Sequence, residues 1–234
     1  MCLGIGQSTL GSSHSTTMTP LVIITRDRVS LTRLCVASFE RYTDLDIHLV
    51  DHGSTYPLMV EYLRKSLYPV HRCGSKPPRA LWEWEGLNKI VGNQPYLVTD
   101  PDVVLDPECP EDWLDVMFDV AVDNPHLAKV GLGIRIDDLP ATPLAQSVRV
   151  WEQAFWQSQE LTRHAAWRAP VDTTLALYPS LDAQPGFQLV PAVRLDAPYL
   201  IRHLPWYRDL NPDETEYYRS LLIPGSSHWT NGGW

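Results

Sequence analysis

Two short apolar runs, each followed by a stretch of helical periodicity, constrain this chain more than any other feature. "PLVIIT", residues 20–25, is β-branched and uninterrupted, the pattern of a strand covered on both faces. "DRVSLTRLCVASFERYT" follows with Val29, Leu31, Leu34, Cys35 and Phe39 near helical spacing. "DIHLVD", residues 46–51, repeats the strand pattern, "HGST" turns, and "YPLMVEYLRKSL" repeats the helix. Two β-α units in succession dictate a parallel sheet with right-handed crossovers. "PVHRC" then reads as a short third strand. "RALWEWEGLNKIVG" reads as a helix closed by Gly92, and "PYLVTD", 95–100, as the fourth strand.

The second half lacks this rhythm. "EDWLDVMFDVAVDN" predicts a helix with acidic residues at its start, where the helix dipole favours them. "LAKVGLGIRI" predicts one strand and "LAQSVRVWEQAFWQSQ" a helix. "RAPVDTTLALYP" predicts a strand pair or an extended segment, and "AVRLDAPYLIRHL" an extended run turning at Pro198. The expectation is therefore α/β, a mostly parallel Rossmann-like sheet flanked by helices, with a mixed C-terminal half. With 234 residues, 44% of them hydrophobic, one domain over 18–234 is expected. Residues 1–17, rich in Gly, Ser and Thr, predict a disordered extension. No run reaches the roughly 18–20 apolar residues that cross a bilayer. Four cysteines without a CxxC pair predict reduced thiols and a cytoplasmic protein. The net charge of −9 gives no basic footprint for a polyanion.

The chemistry concentrates at strand ends. Asp100 and Asp102 in "VTDPDVV" follow the fourth strand, at the edge where open α/β sheets bind ligands. Adjacent like charges need neutralising, and hard cations such as Mg²⁺ or Mn²⁺ take one or two carboxylates while phosphate oxygens complete the shell. Asp-Pro-Asp is also ordinary turn chemistry, so capping stays open for this pair. "LVDHGST" ends the second strand at Asp51. That carboxylate can hold a nucleobase or ribose, or satisfy its own turn's N–H groups.

In order and spacing, "PLVIITRDR", "IHLVDHGST" and "YLVTDPDVVLD" resemble the first strand, the Asp-x-Gly-Ser turn and the DxD motif of a family 2-like glycosyltransferase. The resemblance implies the GT-A (nucleotide-diphospho-sugar transferase) fold. Residues 18–106 would be the nucleotide-binding half and 107–234 the acceptor-binding half. It implies a donor site at Thr25, Arg26, Asp51 and Ser54, and Mn²⁺ or Mg²⁺ on Asp100 and Asp102 beneath a UDP- or GDP-sugar. A C-terminal histidine would join the metal, His203 or His228, with His203 preferred. An inverting transfer would need a base, for which Asp172 is the candidate between apolar segments, with a turn cap as its alternative. The acceptor hydroxyl would belong to a glycan, a lipid-linked sugar, a protein or a modified nucleic-acid base. Trp206 is the candidate stacking face among nine tryptophans, with Trp82, Trp84 and Trp229 also near the site segments. Arg79 and Lys89 are candidate partners of the diphosphate, and "NPDETEYYRS" a candidate lid or a packed helix.

Three competitors remain. A haloacid dehalogenase-type phosphatase also uses Asp-x-Asp with Mg²⁺, but after its first strand. A sugar nucleotidyltransferase would carry a Gly-rich loop where "TRDRVS" has none. A nucleotide-sugar or glycan-binding protein without a base is the non-enzymatic alternative.

Overall fold

A computed structural model describes residues 18–74, 81–160, 163–181 and 191–222. The expected extension at 1–17, Arg79, His228 and Trp229 lie outside the described residues. The opening rhythm folds as the pattern dictates: β1 (Thr19–Thr25), α1 (Val29–Phe39), β2 (Leu45–Asp51), α2 (Pro57–Arg64), β3 (Val70–Arg72), α3 (Glu85–Val91) and β4 (Tyr96–Thr99). β1 pairs in parallel with both β2 and β4, and β3 extends the sheet in parallel beyond β2. Register aligns the carboxyl ends: Thr25 lies opposite Asp51, and Asp51 opposite Arg72. α3 is shorter than the sequence suggests, beginning at Glu85 after a turn through Trp82 and Glu83.

After β4 the chain builds β5 (Val103–Leu105), α4 (Trp113–Asp123), β6 (Lys129–Gly131), β7 (Gly133–Ile134), α5 (Pro143–Gln153), β8 (Gln159–Glu160), β9 (Ala166–Arg168), β10 (Ala176–Tyr178), β11 (Ala192–Leu195), β12 (Leu200–His203) and α6 (Pro212–Ser220). Among the described residues the large sheet runs β3-β2-β1-β4-β10-β6-β11-β9-β8, and a small sheet runs β5-β12-β7. β10 is antiparallel to both its neighbours, β4 and β6.

Two sequence expectations are corrected here. "LAKVGLGIRI" is not one strand, because β6 stays in the large sheet while β7 crosses to the small one. Close approach at two glycines permits the crossing. A Cβ on Gly131 would meet Val171 at 2.6 Å, and one on Gly133 would meet the Leu195 carbonyl at 2.6 Å. "RAPVDTTLALYP", residues 168–179, is not a strand pair: it holds the last residue of β9, which pairs with β11, and the whole of β10, which pairs with β4 and β6.

The core divides across the sheet. One face buries α1 and α4 through Phe39, Val36, Trp113, Met117 and Val120, and the other buries α3 through Leu87 and Val91 against Val22, Val50 and Val98. Trp113 is fully enclosed and meets the rings of Phe39 and Tyr42 at 6.0 and 5.6 Å. Its truncation to alanine costs about 3–5 kcal/mol. α5 opens on Pro143 behind a Thr142 cap, and α6 on Pro212 behind an Asn211 cap, each proline filling a position whose N–H has no intrahelical acceptor.

Candidate functional site

The loops after β1 and β2 interlock through their own polar groups. Asp27 takes a left-handed backbone, φ 52°, which turns its fully buried carboxylate across to the neighbouring loop. There its Oδ1 accepts from the N–H groups of Thr55 and Tyr56, at 2.5 and 2.7 Å. The Asp27 N–H donates to Ser54 Oγ at 3.0 Å, and the Ser54 N–H donates to Asp51 Oδ1 at 2.9 Å. Arg72 Nη1 donates to the other Asp51 oxygen at 3.0 Å.

Three donor-site expectations change accordingly. Thr25 is buried with its hydroxyl against Thr32 Oγ1 at 2.8 Å, and its carbonyl accepts from the His52 N–H, so neither group faces a ligand. Ser54 is a bracket between the loops. Asp51, 0% exposed, caps its own turn, and a base reaching it would have to displace the largely exposed Arg72. Arg26 alone remains open, half-buried at the crest of the loop with Nε 3.7 Å from Asp27 Oδ2.

The end of β4 is built differently. Because β10 runs antiparallel beside β4, its entry loop, residues 172–175, arrives where β4 finishes. The Asp100 N–H donates to the Thr173 carbonyl at 2.6 Å, and Thr173 Oγ1 donates to Asp100 Oδ2 at 2.5 Å. Asp102 and Asp172 both act on Asp100. Burial first, then these two negative charges, push its carboxyl well above the ordinary range, while the Thr173 hydroxyl pulls it down. Asp172 itself is exposed, so the desolvation expected of it is absent, and its neighbour Thr173 makes the direct contact.

β12 lies against β5 with His203 opposite Val103, which sets His203 beside Asp102. His203 Nε2 is 3.5 Å from Asp102 Oδ1, and the Leu204 N–H donates to the Asp102 carbonyl at 2.9 Å. Burial lowers the pKa of His203 against the pull of Asp102 and Asp172, keeping it a neutral ligand-type imidazole. Asp102 Oδ1 and His203 Nδ1 are buried without hydrogen-bond partners. Two carboxylates and an imidazole are the donor set of a Mn²⁺ or Mg²⁺ site, and 3.5 Å suits two ligands on one ion. Among the described residues no three such side chains converge on one point, since Asp100 is turned onto Thr173. The residue types fit such an ion in chemistry, with Asp102 and His203 adjacent.

A second carboxylate array holds this arrangement. Asp106, buried at the end of β5, accepts from Arg202 Nε of β12 at 2.7 Å and from Arg135 Nη1, just past β7, at 3.1 Å. One aspartate thus ties together the three strands of the small sheet, which ends in His203 on β12 and is entered from Asp102 at β5. Trp206 is 4% exposed, packs its ring 4.5 Å from that of His203 and lines the cavity beside it, so it supports the histidine. Trp82 and Trp84 likewise face Tyr178 and His71, and Lys89 lines a different cavity.

α6 closes over the first loops. The buried Glu214 accepts from the Ser30 N–H at 2.9 Å and lies 3.9 Å from Arg28 Nε. Tyr217 donates to Thr55 Oγ1 at 3.0 Å, and Arg28 sits 4.8 Å over the Tyr218 ring. Between α6, α5 and His203 lies a cavity of about 750 Å³, lined by Arg28, Leu31, Asp102, Leu144, His203 and Tyr218 among others. Asp27, Arg28, Thr173 and Glu214 escaped the sequence reading. Only Asp27 carried a usable signal, an aspartate two residues past the end of a buried strand.

No protein-family model matches the sequence, and no curated protein is similar to it in sequence. Solved structures are similar in fold. GalNAc-T7, in a structure with UDP, GalNAc and Mn²⁺, aligns at TM-score 0.52 and 14% identity over 82% of this chain and 44% of its own. The mannosyltransferase PcManGT from Pyrobaculum calidifontis, in complex with GDP-Man and Mn²⁺, aligns at TM-score 0.47 and 12% identity over 80% of this chain and 57% of its own. The chain spans about half the length of these neighbours. The first likeness, with the sheet order above, shows the GT-A fold. No described helix is long and apolar enough to cross a membrane.

Proposed function

We propose that this chain is a metal-dependent glycosyltransferase that moves a sugar from a UDP- or GDP-sugar to an acceptor hydroxyl. The observation that carries this reading is the cluster of Asp100, Asp102 and Asp172 beside His203 at the end of β4 in a GT-A fold. Asp102 and His203 would hold Mn²⁺ or Mg²⁺, with Asp100 joining them as Thr173 releases it. When bound, the ion supplies positive charge to the departing diphosphate. Arg26 and Arg28, at the mouth of β1, add fixed positive charge for the same phosphates. Asp172, exposed toward the solvent side of the site, is the group that takes the acceptor proton in a single inverting displacement. We assign the acceptor to the hydroxyl-bearing class of glycans, lipid-linked sugars, proteins or modified bases. Cys35 and Cys109 are free and buried, in keeping with a cytoplasmic setting.

The phosphatase alternative needs a reactive aspartate after the first strand. Asp27 stands there, fully buried and bound to two backbone N–H groups, which argues against it.

Incubation with a panel of UDP- and GDP-sugars tests the proposal through release of nucleoside diphosphate. Release that requires Mn²⁺ or Mg²⁺ and is lost in Asp102→Ala supports transfer or donor hydrolysis. Nucleotide binding without release in wild type supports the non-catalytic binder instead.

A further inference from the structure

A second cluster of metal-ligating side chains lies away from this site, toward the opposite end of β2. His48 of β2 and His71 of β3 point from the same face of adjacent parallel strands, and His48 Nδ1 meets His71 Nε2 at 3.0 Å. The far nitrogen of His48, Nε2, lies 3.0 Å from Asp46 Oδ2. If Nε2 donates to that carboxylate, Nδ1 carries a lone pair aimed at His71. We infer that His48 and His71 form a second metal site, one that takes a borderline transition ion such as Zn²⁺, Ni²⁺ or Cu²⁺.

Three observations support the site. The ring centres are 5.2 Å apart. A tetrahedral ion bound to two imidazoles at about 2.0–2.1 Å holds the ring centres about 5.2 Å apart, so the rings need only tilt until N···N opens to about 3.3 Å. Asp46 stands behind His48 as carboxylates stand behind metal-bound histidines, fixing the tautomer and raising basicity. The pair also borders an open cavity of about 780 Å³ lined by Asp46, Glu83, Glu85 and Lys89, three carboxylates against one ammonium.

Binding needs no net proton release from a neutral pair, because the His71 hydrogen moves from Nε2 to Nδ1. Water fills the remaining positions, since among the described residues no third ligating side chain closes on the pair. Imidazole nitrogen suits these ions, whereas Mg²⁺ and Mn²⁺ prefer the oxygen-rich set at Asp100 and Asp102. The two sites therefore sort different metals. The consequence reaches the donor loop: β3 is a three-residue edge strand, and Arg72, next to His71, holds Asp51. An ion joining His48 to His71 pins β3 to β2 and steadies that contact.

Calorimetric titration of the full chain with ZnCl₂ tests the site, independently of any transfer activity. One zinc equivalent should persist in Asp102→Ala and in His126→Gln, an exposed control, and disappear in His71→Gln. His71→Gln should keep its metal-free melting temperature and its Mn²⁺ binding while losing the zinc-induced rise in melting temperature. In NMR spectra the imidazole signals of His48 and His71 should shift together at one equivalent. Unchanged zinc stoichiometry in His71→Gln, or zinc shifts that reach only one of the two rings, would overturn the assignment.

Discussion

The loops after β1 and β2 and the strip between β4 and β12 bring aspartates to the same edge of the sheet and treat them in opposite ways. In the first region each carboxylate is bound internally: Asp27 holds two N–H groups of the next loop, and Asp51 holds Ser54 and Arg72. In the second, Asp100 is pushed up by Asp102 and Asp172, and Asp102 Oδ1 and His203 Nδ1 lie side by side, both buried without hydrogen-bond partners. Asp27 Oδ2 also lacks a hydrogen bond, but its carboxylate is already held through Oδ1 and has Arg26 Nε 3.7 Å away. Buried polar groups are ordinarily satisfied, and a chain that leaves several unsatisfied at one point does so where a ligand will satisfy them. The contrast separates residues that build the site from those that use it, although both are Asp at strand ends.

Breaking each region should therefore give a different kind of failure. The largest effect belongs to Asp102→Ala, which should lower metal-dependent turnover about a thousandfold, equivalent to the several kcal/mol a metal supplies, while leaving the melting temperature close to wild type. In the bound region Asp27→Ala should instead cost about 2–4 kcal/mol of stability in urea titration, because the Thr55 and Tyr56 N–H groups lose their acceptor. An equal loss of stability in both variants would erase the distinction drawn here. Asp100→Asn sharpens it with the opposite sign. Removing one of the repelling carboxylates should raise the stability of the metal-free protein by about 1 kcal/mol, and Mn²⁺ should then add little.

The smallest effect concerns pH. Lys129, buried in β6, has its pKa lowered to about 8 by burial, with Asp172 pulling upward and Arg194 downward. The unfolded chain keeps that proton to about pH 10.4, so between about pH 8 and 10.4 it binds more protons than the folded state, and stability rises with pH. Lys129→Met should flatten this rise, an effect on the order of 1 kcal/mol in denaturation curves. Asp172→Asn should shift the rise to lower pH, reporting that the Asp172 charge acts on Lys129.

The first half of the fold was legible because its information is local. Strand, helix and turn follow one another in "PLVIIT", "DIHLVD" and "PYLVTD", and right-handed crossover leaves little choice in how they assemble. Asp100, Asp102 and His203 could be picked out of the sequence by residue type, and the fold sets His203 beside Asp102. Their surroundings were not legible, since Thr173 meets Asp100 across 73 residues and Arg202 meets Asp106 across 96. Nothing local marks such pairings. β10 carries the same apolar pattern whichever way it runs, and only its antiparallel insertion brings the 172–175 loop to the site. Asp106 stood in the same stretch as Asp100 and Asp102, yet its role became visible only with the two arginines that fold back onto it. Trp206 shows a related limit: the sequence puts an aromatic ring near the site but does not show that the ring packs on His203.

The most direct test of the account is calorimetric titration with UDP and GDP, each with and without Mn²⁺, on the wild type and on Asp102→Ala. The account predicts that one nucleotide binds wild type only when Mn²⁺ is present, and that the folded variant binds neither. Equal binding with and without the ion, or undiminished metal-dependent binding in Asp102→Ala, would contradict it.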